Sequence, residues 1–435
     1  MNNINIPPIP SITVPTTPVK AEEVKKRVRS ELEVEFKKRA KELGKVVYSY
    51  SRLGSFLECQ YGYYESYIKW NRGKDNIYST LGSIGHDVLE DYTNGKIKKE
   101  EMLPIFEKTY AKAKLVGMKF PSDKIEVGYI ENLRLFFQEY EIPPIGKPIT
   151  EMFVCGTFGM NNSIFMQGFI DELYCCKDEN GKSYAIISDH KSSTKFKPKD
   201  LLKYGRQLAV YAHMYKRLTG LEVKYVQWNM MKYCECLIPS SWHRDFSKLS
   251  VKDMKEFYIN DCGIDIGIFK GLKKVDLAKI GLEYKDEICD KFGYEKESKS
   301  IIYERKDVAS KLERHLKWAN VDTEVIEEFK SHNLWSKVSD ELKQELRALG
   351  FDILPYYERY ELTDEIMVEM ENYIIETVGM IENKLGQPEV MYQPKDIAED
   401  VFFCSNLCNH GDNCKYYKQH INSFVEKSKL MLGSI

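Results

Sequence analysis

The run IFMQGFIDELYCCKDENGKSYAIISDHKSS, residues 164–193, constrains the fold of this chain more than any other. Two β-rich arms flank Asn180-Gly181, a dipeptide suited to tight hairpins. The second arm is apolar and ends in Asp189-His190-Lys191. Residues two apart in a strand face the same side, so Asp189 and Lys191 project together. Turn length decides where Asp171 lies. A three-residue loop with Gly181 left-handed sets Asp171 opposite Asp189. A two-residue loop shifts the register by one and puts them on opposite faces. The sequence leaves both open.

The flanking periodicity places this hairpin in a mixed α/β core. Apolar spacing predicts helices over 51–70, about 80–92 and 125–140. After Pro143-Pro144 the period shortens, and 149–158, 164–175 and 184–190 read as strands. Helix returns at about 200–219, and LEVKYVQWNMMKYCECLIP reads as one or two further strands. Residues 245–350 are highly charged and read as helical. Thr363 is placed to cap a helix over about 364–384.

Two carboxylates converging on one point repel each other and are tolerated when a divalent cation neutralises them. All-oxygen ligation suits Mg²⁺ or Mn²⁺. A lysine beside them can orient or help deprotonate a water, or offset charge on a phosphate. Glu151 starts a strand and offers a further carboxylate. His86 and Glu90 are four apart on one helix face, and an imidazole tilts the preference toward Mn²⁺. Gln207 and Tyr211, also four apart, carry groups able to touch a phosphate or a metal-bound water. Lys195, Lys197, Lys199 and Lys203 form a local basic stretch suited to a DNA backbone. Asp-x-Lys alone is most simply a solvated face. The ordered set carries the functional reading.

Cysteine supplies a second pattern. Cys404, Cys408 and Cys414 crowd a polar segment, while Cys59 lies 345 positions before Cys404. The chain has 11 cysteines, an odd and unevenly placed set, which in a reducing compartment favours ligation or buried thiols over disulfides. Four thiolates can hold an iron–sulfur cluster or zinc. A rival zinc set takes Cys404, Cys408 and Cys414 with His420, and His410 is another candidate ligand. Formal net charge is −2, so bulk charge carries no argument for nucleic acid. No apolar run suffices for a membrane span and no secretory signal is apparent. The expected setting is the cytoplasm of a bacterial, archaeal or phage-infected host cell.

GSIGHDVLE, TEMFV, GFIDE, ISDHKSS and GRQLAVY, within about 80–215, resemble the PD-(D/E)XK nuclease superfamily in its RecB-like and Cas4-like branch. The resemblance implies a restriction-endonuclease-like mixed sheet flanked by helices. It implies metal ligation by His86, Asp171 and Asp189, and assistance to hydrolysis by Lys191. Gln207 and Tyr211 fall on a helix bordering the site, and Glu151 on an acidic position. SRLGSFLECQYGYY resembles the segment bearing the first cluster cysteine of Cas4 and AddB-type nucleases, which implies a [4Fe-4S] cluster on Cys59, Cys404, Cys408 and Cys414. Here Cys404 and Cys408 are separated by three residues where the family has two, and Gln60 replaces a proline.

The expected layout is a flexible arm over 1–20, a charged helix over 21–50 and a nuclease core over 51–244. A mainly helical lobe or insertion over 245–395 and a cysteine-cluster segment over 396–435 follow. The implied activity is exonucleolytic hydrolysis of single-stranded or end-containing DNA, in recombination, repair or phage genome processing. No phosphate loop of the G-x-x-x-x-G-K-[ST] type is present, so unwinding would require a helicase or recombinase partner. The alternatives are a silent DNA-binding or scaffold subunit and a zinc-containing nucleic-acid-binding protein.

Overall fold

The computed structural model describes residues 21–240, 242–318 and 321–432. The arm expected over 1–20 lies outside them. The chain divides into two units. The first joins the described residues up to Val127 with Glu141–Asn229 and the chain from Tyr357 onward. The second joins Gly128–Tyr140 with Met230–Tyr356.

In the first unit, β1 (Val47–Ser49), β2 (Ile149–Phe158), β3 (Ile164–Lys177) and β4 (Ser183–Lys191) form a mixed sheet around β3. β1 runs parallel to β3, with Val47 opposite Phe165. β2 and β4 run antiparallel to it. β5 (Val223–Ile238) follows β4 in the strand order, and β7 (Asp352–Tyr360) pairs with β5. From Ala185 to His190 every residue of β4 is buried. Cover on both faces is why Ala185-Ile186-Ile187 are apolar in succession instead of alternating.

The helix Pro198–Thr219 packs on β2 and β3. Its approach depends on Gly168. A Cβ at that position would lie 2.3 Å from Tyr211 Cε1, so the aromatic ring rests on bare strand backbone. The same helix is held at Arg206, whose Nε lies 2.8 and 2.9 Å from the two carboxylate oxygens of Glu369. Glu369 belongs to the helix Asp364–Glu382, capped by the Thr363 hydroxyl accepting from the Ile366 amide.

In the second unit, β6 (Lys299–Glu304) runs antiparallel to the far half of β5. Short helices surround two apolar clusters, one around Cys236, Leu312 and Phe351, the other around Trp242, Phe246 and Tyr258.

Several boundaries differ from expectation. The charged helix ends at Glu42, and Val47–Ser49 becomes a strand too short to show a period. The helix Lys99–Leu115 is additional. LEVKYVQWNMMKYCECLIP yields one strand. The span 245–350 contains β6, whose apolar pair Ile301-Ile302 is masked by flanking charge. The lobe expected over 245–395 closes at Tyr356 and takes in Gly128–Tyr140. Asn132 explains that recruitment: its amide donates to Glu304 Oε2 at 3.0 Å and its carbonyl accepts from the Lys306 amide at 2.9 Å.

Gly168→Ala should lower the melting temperature, by a loss of about 1–3 kcal/mol, the usual cost of overpacking. Adding Tyr211→Leu should recover part of that loss in thermal denaturation.

Candidate active site

The hairpin adopts the three-residue loop. The Asp178 amide donates to the Lys182 carbonyl at 2.9 Å, closing Glu179-Asn180-Gly181. Gly181 has φ +78°, a left-handed conformation that costs glycine nothing. Asp178 Oδ1 also accepts from the Asn180 and Lys182 amides, at 2.9 and 2.8 Å. Glu172 therefore faces Ser188, the last paired position, and continuing that register brings Asp171 to the level of Asp189, close enough for the two carboxylates to repel each other.

On the other edge of β3, Thr150 pairs with Glu172 and Met152 with Ile170, so Glu151 stands opposite Asp171. Three acidic positions thus cross β2, β3 and β4 in one row. Glu151 has φ +50°, a left-handed backbone that costs a non-glycine residue roughly 1–2 kcal/mol.

Each aspartate has its own cation. Lys191 Nζ lies 2.7 Å from Asp189 Oδ2, and His86 Nδ1 lies 3.0 Å from Asp171 Oδ2. The His190 amide donates to that same Asp171 oxygen at 2.9 Å. Burial disfavours charge on His86, but the Asp171 carboxylate outweighs it and lifts the imidazole to about 9. Asp171 is likewise buried, yet His86, His190 and Lys191 hold it below the usual carboxylate range. Asp189 moves upward, chiefly from burial and despite Lys191, with Asp171 adding like-charge repulsion. Lys191 resists burial because Asp189 and Asp171 keep its ammonium favoured.

His86 is carried by the helix Ile77–Thr93, capped by Asn76 and Ser79 in a reciprocal box. Gly82 of this helix faces the Ser192 hydroxyl just past β4. From the opposite side, Gln207 Nε2 donates to the Tyr211 hydroxyl at 3.2 Å. Burial, opposed by the Gln207 bond and reinforced by Asp189, Asp171 and Glu151, raises the phenol and keeps it protonated. Lys195, Lys197 and Lys203 are exposed, and Lys203 pairs with Glu58 at 3.3 Å. The Lys199 side chain lies outside the described residues.

Two supporting residues escaped sequence reasoning. Glu172 and His190 are the buried neighbours of Asp171 and Asp189. Glu172 Oε1 lies 3.3 Å from His190 Nε2, and Oε2 accepts from the Tyr174 hydroxyl at 2.8 Å. Their only sequence signal is adjacency to the aspartates.

The cysteine segments also meet. Cys59 Sγ accepts from the Gly62 and Lys395 amides at 3.3 and 3.4 Å. Lys74 N donates to Asn409 O at 2.8 Å, and Tyr61 N to Gln393 O at 3.0 Å. Burial, then the charges of Cys408, Cys59 and Cys414, push the Cys404 thiol up to about 11. A cavity of about 860 Å³, part of it open to solvent, is lined by Cys59, Gly62, Ser66, Cys408 and His410. His410 Nε2 lies 2.8 Å from Ser66 Oγ, which occupies that nitrogen. His420 lies on the helix Lys415–Leu432. Among the described residues no set of three or more His, Cys, Asp or Glu side chains is already drawn together as a metal site. The donor chemistry fits nevertheless: hard carboxylates of neighbouring strands in one place, cysteine sulfurs from both ends of the chain in the other.

Glu172→Ala removes an acceptor from both His190 and Tyr174 and should cost about 1–3 kcal/mol. Urea denaturation measures it.

The PD-(D/E)XK nuclease superfamily model matches residues 47–347. That span contains His86, Glu151, Asp171, Asp189, Lys191, Gln207 and Tyr211, together with Cys59, and ends before the three carboxyl-terminal cysteines. With the match covering well over half of its length and the sheet carrying the acidic–lysine hairpin, this chain belongs to the PD-(D/E)XK nuclease superfamily.

Proposed function

We propose that this protein is a Mg²⁺- or Mn²⁺-dependent DNA exonuclease of the RecB-like, Cas4-like branch, acting on single-stranded or end-containing DNA. The observation that carries the reading is the facing pair Asp171 and Asp189, with Lys191 2.7 Å from one and His86 3.0 Å from the other. Asp171, Asp189 and His86 would hold the metal, which when bound supplies Lewis acidity toward the scissile phosphate and a more acidic water.

The protein's own groups do the rest. Asp171 and Asp189 lie on adjacent strands and feel each other's charge, which supports a shared role in ligation. Lys191 is kept charged beside them, able to orient the attacking water or face the developing charge on the phosphate. Tyr211 retains its proton and Gln207 holds its hydroxyl, which makes this pair a donor at the pocket edge. Glu151 extends the acidic row toward β2. Exposed lysines after β4 offer contacts for the DNA backbone.

Cys59, Cys404, Cys408 and Cys414 would hold a [4Fe-4S] cluster in a structural role. The raised thiols of Cys404 and Cys408, with Cys59 and Cys414 among the causes of each, support this assignment. The rival zinc set of Cys404, Cys408, Cys414 and His420 stays the alternative, and the Ser66 hydroxyl takes one ring nitrogen of the further candidate His410.

Anaerobically purified protein should degrade end-labelled DNA with Mn²⁺ or Mg²⁺ and leave it intact with EDTA. Asp189→Ala and Lys191→Ala should each lose about 100-fold or more, since each removes several kcal/mol of charge stabilisation. Intact DNA with the cluster-loaded wild type on every substrate would favour a silent scaffold. Cys59→Ser should abolish the visible absorbance of the cluster. An unchanged spectrum would remove Cys59 from the ligand set.

A further inference from the structure

The second unit contains a cavity that the nuclease chemistry does not use. It encloses about 740 Å³, part of it open to solvent. Its floor is apolar: Ile238 at the end of β5, Ile301 in β6, Leu349 at the end of the helix Asp340–Leu349, and Phe351 just beyond it. Its cationic and imidazole groups are His243 and Arg244 from the helix Trp242–Lys248, Lys299 from β6 and His315 from the helix Val308–Trp318, with the Ser240 hydroxyl beside them turned to the Glu295 carbonyl. Among the described residues no aspartate or glutamate lines it.

These groups come from three separate elements, and two of them are always charged at neutral pH. Arg244 and Lys299 each have a carboxylate nearby, but the separations are long. Arg244 Nε is 3.4 Å from Asp245 Oδ1, and Lys299 Nζ is 3.7 Å from Glu295 Oε2. Exposed pairs of this length contribute about 0–1 kcal/mol. His243 is held edge-on against Trp242, with ring centroids 5.3 Å apart, so its imidazole has a defined orientation at the wall.

An apolar floor calls for a flat or fatty body, and the cationic wall calls for an anion. A fatty acid satisfies the wall at one end only. A nucleotide carries a ring for the floor, a phosphate for Arg244 and Lys299, and base-edge acceptors and donors for the histidines. We propose that this cavity binds a nucleoside monophosphate group, either as a free nucleotide or as the phosphorylated terminal nucleotide of a strand. Only the strand-end form rests on DNA being the substrate.

The test uses the full chain in EDTA, so that no cleavage intervenes. Equilibrium dialysis measures labelled dAMP, deoxyadenosine and a short 5′-phosphorylated single strand. The comparison is with the Arg244→Glu, Lys299→Glu double variant and, separately, His315→Gln. Thermal melts confirm that each variant folds. Binding of dAMP or the strand should weaken about tenfold or more in the charge-reversed variant, and deoxyadenosine should bind wild type correspondingly worse than dAMP. Much tighter binding of the strand than of dAMP identifies the strand end as the ligand, and equal binding identifies the free nucleotide. The proposal is overturned by absence of binding for both, by binding unchanged in the folded variants, or by laurate occupying the site where dAMP does not. Metal-dependent cleavage, measured separately, reports on the nuclease reading alone.

Discussion

Asp171 and Asp189 stand on neighbouring strands, one step past the pair Glu172 and Ser188, and like charges brought that close are destabilising. The structure around them is arranged to compensate. Lys191 follows on the same strand face, two residues after Asp189. His86 is delivered by a helix from a distant part of the chain, and the His190 amide donates to Asp171.

Holding that arrangement in register requires rigidity behind it. Glu172 and His190 form a buried polar pair one residue beyond each aspartate, with Tyr174 as a third member. Gly168 lets the Tyr211 ring lie on the β3 backbone, and the two-point contact of Arg206 with Glu369 ties the bordering helix to Asp364–Glu382. Glu151 sits in a left-handed backbone conformation at the same level of the sheet. Local strain of this kind persists where the surroundings over-determine the geometry.

The cysteine segment bears on the same site through Asn76. Its side chain caps the helix that carries His86 and also donates to the Leu407 carbonyl at 2.9 Å. One residue thus links the amino end of the histidine helix to the segment between Cys404 and Cys408. Whatever orders that segment also steadies the helix.

The sequence by itself determined the local parts: the hairpin arms, the turn at Asn180-Gly181, the shared face of Asp189 and Lys191, the Gln207–Tyr211 spacing and the Thr363 cap. Each depends on residues close together in the chain, where backbone preference and side-chain period act directly. The register of Asp171 against Asp189 was narrowed to two choices, and the left-handed Gly181 within the folded hairpin selected one. Tertiary structure alone decided the rest. Arg206 meets Glu369, Asn132 draws its helix into the second unit, and His410 meets Ser66 across 344 positions. The lobe boundary, the short strand β1 and the backbone of Glu151 belong with them. These features arise from pairing between distant segments, which leaves no period in either segment alone.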